Sequence, residues 1–321
     1  MTPAAEPWIL VADIGGTNAR FAAVPRGSGV PSQPFILPTK GYPSLEAALD
    51  LAIPALGGGE GLSAIVLALA AAIDDGPVKL TNAAWVIDAR AVAAHTGVAR
   101  VELRNDFEAL ALALPFLGGA ALHSLQAGEA LAGGNIAVVG PGTGLGVAGL
   151  IAMGSVWRTL CGEGGHATYA PETETEWCIA TGLRAKYGRV SAERVATGQG
   201  LVDVAAILGA PADAASPAQV VARAHDGCAA CRGALDAFLA CTGRVAGDVA
   251  LTLNATAGVF LGGGILPRLV GTTDLAPLVA AFRDKGRNAP RMARMPVSLI
   301  VDPAPALTGL AAHARELFAT L

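Results

Sequence analysis

The chain reads A-D-I-G-G-T-N-A-R at residues 12–20, directly after an apolar run at residues 8–12 that predicts a buried strand. Gly15 and Gly16 would turn the backbone tightly, so that its N–H groups could approach an anion without side chains in the way. Asp13 would lie at the strand end, where a carboxylate can hold hydrated Mg²⁺. The stretch outlines a nucleotide phosphate site, but it fits a β-hairpin with a Gly-Gly turn equally well, since residues 20–24 read as a returning strand.

Two later stretches repeat the order of strand and glycine turn. N-I-A-V-V at residues 135–139 runs into G-P-G-T-G-L-G at 140–146, and G-V-F-L at 258–261 runs into G-G-G-I-L-P at 262–267. These could be ordinary turns of an α/β protein. Their residue types and order, however, resemble the two phosphate loops and the adenosine loop of the superfamily of sugar kinases, Hsp70 and actin. That resemblance favours the phosphate site.

Length and composition permit such an architecture. The 321 residues are enough for one large domain or two ordinary ones. Charged residues make up only 15% of the chain, against about 25% in typical soluble proteins. Two uncharged spans, 133–157 and 249–267, are long enough to cross a bilayer. Each contains a glycine loop, so buried strands explain them better than membrane helices, and no secretory signal is apparent. We therefore expect a cytoplasmic protein without a membrane partner.

Charge and cysteine content exclude further classes. The net charge is −4 and no basic run occurs, so nucleic acid is not an expected partner. Five cysteines, an odd number, favour reduced thiols. Cys228 and Cys231 form a C-x-x-C, but no second pair accompanies it. We expect them one turn apart on a helix face as structural thiols, without bound zinc.

Hydrophobic periodicity and turn signals predict an α/β order with a boundary near Gly118. Strands are predicted at residues 8–13, 20–24, 64–70 and 101–103. Helices are predicted at residues 44–56, 88–95, 107–114, 174–187, 219–253 and 307–319.

Three polar constellations are candidates for chemistry. Asp106 follows Asn105 at a strand-to-helix junction, where it could project from a rigid support or simply cap the helix. Glu163 and His166 lie in G-E-G-G-H at residues 162–166. They could be a metal pair, although only two ligands are visible, and recognition of hydroxyl groups suits them better. Glu193 in V-S-A-E-R could be a first-turn helix acid or another acceptor for a polyhydroxylated ligand.

With these motifs, the chain resembles bacterial glucokinases of the non-zinc, hexokinase-related group over nearly its whole length. The resemblance rests on D-I-G-G-T-N-A-R at 13–20, T-N-x-x-W at 81–85, N-D-F at 105–107, G-P-G-T-G-L-G at 140–146, G-E-G-G-H at 162–166, S-A-E-R at 191–194 and G-G-G-I-L-P-R at 262–268. It implies two actin-like (ribonuclease H-like) α/β domains flanking a cleft. The small domain would contain residues 1–116 and 307–321, and the large domain residues 117–306.

The resemblance also implies transfer of the ATP γ-phosphoryl group to the 6-hydroxyl of glucose, commonly by a homodimer. Asp106 would be the general base, with an ordinary acid pKa that keeps it ionised. The sugar hydroxyls would contact Asn105, Asp106, Glu163, His166 and Glu193. The phosphates would contact Ala12, Asp13, Ile14, Gly15, Gly16, Thr17, Gly142, Thr143 and Gly144. Asp13 would lie near Mg²⁺, through water, and Gly263 near adenosine.

One departure concerns Ala72, where the family usually has proline, and we therefore assign Asn82 no role. Three alternatives remain: a broader hexokinase, an actin-like or chaperone ATPase, and a sugar-responsive regulator of the ROK group. An ATPase would lack the sugar loop at Gly162. A ROK regulator has an N-terminal helix-turn-helix and a cysteine-rich zinc motif. Here the first strand begins by Trp8, and A-T-Y-A-P follows His166. These observations favour the kinase.

Overall fold

The computed structural model describes residues 6–73, 76–80, 83–154 and 156–320, which fold into two compact α/β units. The first unit contains Met1–Gly118 and Asp302–Leu321, and the second contains Gly119–Val301. The α/β fold class predicted from the sequence is confirmed. In the described part of the chain, no helix is both long and apolar enough to span a membrane.

The strands and helices follow in chain order. The strands are β1 (Trp8–Ile14), β2 (Asn18–Pro25), β3 (Phe35–Pro38), β4 (Leu62–Leu69), β5 (Val78–Lys79), β6 (Val86–Ile87), β7 (Val101–Asn105), β8 (Leu122–Gln126), β9 (Ile136–Pro141), β10 (Leu145–Met153), β11 (Val156–Gly162), β12 (Gly258–Leu261) and β13 (Val297–Ile300). The helices are α1 (Leu45–Ala55), α2 (Ala89–Thr96), α3 (Asp106–Ala113), α4 (Glu174–Tyr187), α5 (Gly198–Ile207), α6 (Pro217–His225), α7 (Ala229–Leu253), α8 (Ala276–Arg283), α9 (Ala289–Met292) and α10 (Pro305–Leu317).

The first unit is built on a five-stranded sheet in the order β3-β2-β1-β4-β7. The three strands β1, β4 and β7 run parallel, and β2 returns antiparallel to β1. The side chains of β1 alternate between two cores: Leu10 packs with α1 and α2, whereas Val11 packs with α10. Burial on both faces explains why β4 is almost continuously apolar.

The second unit has a six-stranded sheet in the order β11-β10-β9-β12-β13-β8. The strands β9, β10 and β11 form an antiparallel meander, while β12 lies parallel to both β9 and β13. Its core includes β9, α5, α6 and the 25-residue helix α7. The two later glycine stretches follow β9 and β12, which are neighbours and run in the same direction, so both turns lie at one edge of this sheet.

The prediction of one helix over residues 219–253 is wrong. Helix α6 ends at His225 and α7 begins at Ala229, because Gly227 between them has φ 92°, which no helix tolerates. Cys228 consequently precedes the first turn of α7, while Cys231 is buried within that turn. The two cysteines therefore flank a helix start rather than sharing the middle of a helix face. All five cysteines are free thiols.

Helix α5 was not predicted, because Gly198 and Gly200 are poor helix formers. Its start is instead fixed by Thr197, whose hydroxyl accepts a hydrogen bond from the Gly200 amide at 3.1 Å.

In the first unit α10 packs closely on α3. The Cα of Gly309 lies against the carbonyl of Ala109, and a methyl group there would overlap that oxygen. We expect Gly309→Ala to lower the free energy of unfolding by about 1–3 kcal/mol, as for an overpacked core. Chemical denaturation of the purified variant would measure this loss.

Gly118→Ala is the matched control. An added methyl at Gly118 would meet nothing within 4 Å. A Gly309→Ala variant as stable as Gly118→Ala would contradict the close packing of the two helices.

Candidate active site

The first glycine stretch forms the turn between β1 and β2. Gly15 donates its backbone N–H to the Asn18 carbonyl at 3.0 Å, and the Thr39 hydroxyl donates to the Gly15 carbonyl at 2.8 Å. The hairpin interpretation is therefore correct as a description of the backbone. It does not compete with a phosphate site, because the same turn places its remaining backbone donors next to Asp13 at the end of β1.

Asp13 is largely buried and faces Arg20 on the neighbouring strand. Arg20 Nη1 lies 3.3 Å from Asp13 Oδ2. Burial nevertheless raises the pKa of Asp13 above its ordinary value, and the Arg20 charge offsets only part of this shift. Such a carboxylate would be stabilised by additional positive charge. Arg20 was not assigned a role from the sequence, although its pairing with Asp13 across a two-strand turn follows from the hairpin register.

Asn105 and Asp106 occupy the junction of β7 and α3, and the structure separates their roles. The Asn105 side-chain oxygen accepts from the amides of Phe107 at 2.9 Å and Glu108 at 3.3 Å. The amide of the same side chain donates to the Ala71 carbonyl at 3.0 Å. Asn105 is thus the capping residue of α3. Asp106 is the first residue within the helix, so its carboxylate is not needed as the cap.

The expected ordinary pKa of Asp106 is wrong. Burial raises the pKa to about 6, the hydrogen bond from the Phe107 amide opposes the shift, and the negative charge of Asp13 adds to it. The two acids are near each other because β1 and β7 flank β4 and all three strands end at the same edge of the sheet. With this pKa, Asp106 is still ionised at neutral pH.

A network of charged side chains holds the strand β7, which directly precedes Asp106. Arg104 donates to Glu108 Oε1 at 2.7 Å and to Glu102 Oε2 at 3.1 Å. His313 of α10 lies 2.7 Å from Glu102 Oε2. The hydrogen bond with His313 has the largest effect on the pKa of Glu102. Together with the hydrogen bonds from Arg100 and Arg104, it lowers this pKa to about 2. Sequence spacing cannot show the part of His313, which lies 211 residues from Glu102.

In the second unit, the turn after β9 is a compact loop with two paired amides. Gly142 donates to the Gly144 carbonyl at 2.8 Å, and Leu145 donates to Glu193 Oε2 at 3.0 Å. In the part of the chain that the structure describes, the turn amides without such a bond are those of Thr143 and Gly144. These two are the donors that an anion could reach.

Two glycines fit against this turn because they lack a side chain. A methyl group on Gly165 would overlap the Leu145 carbonyl, and one on Gly263 would overlap the Pro141 carbonyl. The loop at residues 162–166 and the loop at 262–264 therefore both pack directly on the backbone around residues 141–145. The second and third glycine stretches, and the loop with Glu163 and His166, form one continuous set of contacts within this unit.

Three polar side chains converge beside the turn. His166 Nε2 lies 3.8 Å from Glu163 Oε2 and 3.8 Å from Glu193 Oε1. The Glu193 side chain is 23% exposed, whereas that of Glu163 is 73% exposed. Glu193 lies in a short 3₁₀ turn, but its carboxylate points to Leu145 rather than to that turn's own amides. Among the described residues, no three or more His, Cys, Asp or Glu side chains are arranged so that they could hold a metal ion together. Carboxylate oxygens and an imidazole can exchange hydrogen bonds with hydroxyl groups.

Not every sequence motif can be placed. Thr81 and Asn82, of the T-N-x-x-W stretch, lie outside the described residues. Trp85 of the same stretch is buried, and its indole N–H donates to the Tyr42 carbonyl at 2.9 Å. Thr197 is a residue that the sequence did not single out: its hydroxyl donates to the Glu193 carbonyl at 2.9 Å and so links Glu193 to the start of α5.

Comparisons with known proteins identify the family of the chain. The model of the glucokinase family matches residues 10–317. The chain is 42% identical over 310 residues to a glucokinase of Paramagnetospirillum magneticum, which covers 94% of this chain and 96% of that protein. It is 40% identical over 317 residues to a glucokinase of Chromobacterium violaceum, covering 97% and 90% of the two chains.

A solved structure gives the same result. The crystal structure of a glucokinase from an Antarctic psychrotroph superposes with a TM-score of 0.82 at 32% identity, covering 97% of this chain and 100% of that chain. The fold is thus that of the actin-like sugar kinases, and the chain belongs to the glucokinase family.

The Glu102 network generates a prediction about acid stability. Because the pKa of Glu102 is lowered to about 2 in the folded protein from an ordinary 4.5, its ionised form stabilises the fold above pH 4.5. That contribution is lost as the pH falls from 4.5 towards 2. We expect Glu102→Gln to lower the free energy of unfolding by roughly 1–3 kcal/mol at neutral pH. Urea denaturation at neutral pH and at several acidic pH values would show the difference shrinking as the pH falls.

The control is Glu60→Gln, because Glu60 is exposed. A Glu102→Gln effect that stays constant from neutral pH to about pH 3, or that matches Glu60→Gln, would contradict the role of the network.

Proposed function

We propose that this chain transfers the γ-phosphoryl group of ATP to the 6-hydroxyl of D-glucose, with Asp106 as the general base. The reaction follows from membership of the glucokinase family and from about 40% identity to bacterial glucokinases over most of the chain. The observation that supports the base is its position: a largely buried carboxylate directly after β7, the edge strand that runs parallel to β4, next to Asp13 and not used as the cap of its helix.

Asp106 has the properties that this role needs. With a pKa raised to about 6 by burial, it is ionised at neutral pH and is still a stronger base than an ordinary carboxylate. Phosphoryl transfer requires mainly positioning and neutralisation of charge, so the base need only accept the hydroxyl proton late in the transfer. The Glu102 network fixes the strand that presents Asp106, which keeps the carboxylate in place.

The sugar hydroxyls are assigned to Asn105, Asp106, Glu163, His166 and Glu193. An ionised carboxylate accepts several O–H donors in charge-assisted hydrogen bonds, which suits a polyhydroxylated ligand. The Glu193 and Glu163 oxygens close to His166 are available for such bonds, because the one oxygen that Glu193 gives to the protein is Oε2.

The nucleotide is assigned to three backbone turns. The phosphates would meet the turn of Ala12, Asp13, Ile14, Gly15, Gly16 and Thr17 and the turn of Gly142, Thr143 and Gly144, where the Thr143 and Gly144 amides are available as donors. Gly263, packed on the Pro141 carbonyl, would lie near adenosine. Bound nucleotide would therefore be held mainly by main-chain groups.

The donor set fits magnesium. Mg²⁺ is usually held by one or two carboxylates together with substrate phosphates and water, and Asp13 is a carboxylate whose burial makes added positive charge favourable. When bound, the ion would neutralise charge on the phosphates. Zinc does not fit, since Cys228 and Cys231 have no further ligands within the described residues.

Further proposals concern assembly and location. We place the small domain at residues 1–116 with 307–321 and the large domain at 117–306, and we expect a cytoplasmic homodimer. A broader hexokinase is the closest alternative, and a coupled assay with glucose, mannose, fructose and N-acetylglucosamine would distinguish it. The regulator alternative has less support, since Ala167, and not a cysteine, follows His166.

Asp106→Asn tests the proposed base. We expect kcat to fall by roughly 10²-fold or more, the usual scale for a lost general base, while glucose affinity changes little, because an amide still fills the position. Steady-state kinetics and calorimetric glucose binding would measure both. Asp50→Asn is a suitable control, since Asp50 is exposed and pairs with His95 on another helix. Near-normal turnover of a folded Asp106→Asn protein would contradict the assignment.

The pH profile gives a second test of the same residue. Since the pKa of Asp106 is raised to about 6, the protonated form accumulates as the pH falls through this value. We expect kcat/KM for glucose to be level above about pH 7 and to fall by about tenfold per pH unit below about 6. A profile that stays level down to about pH 4.5 would show that no base with a raised pKa takes part.

A further inference from the structure

The carboxylate of Glu193 lies between two loops of the second unit, one assigned to phosphate and the other to sugar. Its Oε2 accepts from the Leu145 amide at 3.0 Å, within the turn assigned to phosphate, while its Oε1 lies 3.8 Å from His166 among the groups assigned to sugar. The turn also approaches the carboxylate at Gly144, where an added methyl would lie 2.8 Å from Oε2. The carboxylate is therefore in contact with both loops.

The backbone on either side of Glu193 is tied to the same turn. The Thr197 hydroxyl donates to the Glu193 carbonyl at 2.9 Å, and the Gly198 amide donates to the Gly142 carbonyl at 3.1 Å. The turn is thus connected to the segment at residues 193–198 at two points, through Leu145 and through Gly142. A shift of the turn cannot occur without moving Glu193 or breaking one of these bonds.

We propose that the bond between the Leu145 amide and the Glu193 carboxylate couples the two substrates, so that nucleotide bound at the turn raises the affinity for sugar. The proposal rests on the assignment of the sugar and phosphate groups above. Ordering of the turn by phosphate would fix the Leu145 amide and hence the sugar-facing oxygen of Glu193. Linkage then requires that sugar raise the affinity for nucleotide by the same factor.

Glu163 provides a matched comparison within the chain. Its carboxylate lies at the same 3.8 Å from His166 Nε2 as that of Glu193. In the part of the chain that the structure describes, the Glu163 carboxylate makes no hydrogen bond to the turn, and it is 73% exposed. Both acids are assigned to sugar hydroxyls, but only Glu193 contacts the turn. Removal of either should weaken sugar binding, and only removal of Glu193 should uncouple it from nucleotide.

The experiment measures glucose affinity by calorimetry with and without a saturating, non-hydrolysable ATP analogue and Mg²⁺. The ratio of the two dissociation constants is the coupling factor. We expect the native protein to show a factor of roughly 5 or more, within the usual range of allosteric coupling. Glu163→Ala should bind glucose more weakly in both states and keep the native factor. Glu193→Ala should bind glucose more weakly and have a factor close to 1.

Two further variants distinguish the effect of the hydrogen bond between Leu145 and Glu193 from the effect of the Glu193 charge. Glu193→Gln should weaken glucose binding but keep the factor, because the amide oxygen can still accept from the Leu145 N–H. Gly144→Ala should reduce the factor although both acids remain, since its methyl would displace the carboxylate. Circular dichroism and thermal unfolding would confirm that each variant is folded.

The outcomes distinguish this inference from the assignments on which it depends. Unchanged glucose affinity in both Glu163→Ala and Glu193→Ala would contradict the sugar assignment itself. Weakened glucose binding with a native coupling factor in Glu193→Ala and Gly144→Ala would leave the sugar assignment intact and overturn the coupling. A factor of 1 in the native protein would also overturn it.

Discussion

The site of the second unit depends on backbone packing directly against backbone at glycines. Gly165 lies on the carbonyl of Leu145, and Gly263 lies on that of Pro141, with no space for a side chain at either contact. Because these contacts surround the turn at residues 141–145, they fix where the turn presents its Thr143 and Gly144 amides. They also bring the loop of Glu163 and His166 next to Glu193. A larger residue at either glycine would separate the groups that we assign to the substrates.

In the first unit, parallel strands bring together acidic residues that are distant in the sequence. The strands β1, β4 and β7 end at one edge of the sheet, so Asp13 and Asp106 meet there although they are 93 residues apart by their numbers. Burial and the negative charge of Asp13 raise the pKa of Asp106 to about 6. An enzyme that needs a base at neutral pH benefits from this shift, since a stronger base takes the hydroxyl proton more readily. The same elements that build the fold therefore also set the chemistry of the carboxylate.

Local patterns were enough to predict the central strands, the three glycine turns and the α/β class, because buried parallel strands are continuously apolar and their ends carry glycine. Helix boundaries were less predictable. The break between α6 and α7 depends on the φ of Gly227, and the start of α5 depends on a hydrogen bond from the Gly200 amide to the Thr197 hydroxyl that no periodicity reveals. That Asn105 and not Asp106 caps the helix also depends on tertiary structure, since the Asn105 amide is held by the Ala71 carbonyl.

Interactions between distant residues were out of reach of sequence reasoning for the same reason. The bond from His313 to Glu102, and that from Leu145 to Glu193, join residues with no common motif. The role of Asp106 is tested most directly by the distance between its carboxylate and the glucose 6-hydroxyl in a crystal structure of the glucose complex. We expect a hydrogen bond of about 2.6–3.2 Å between them. A 6-hydroxyl bonded to Glu163 or Glu193 instead, with Asp106 out of hydrogen-bonding reach, would contradict it.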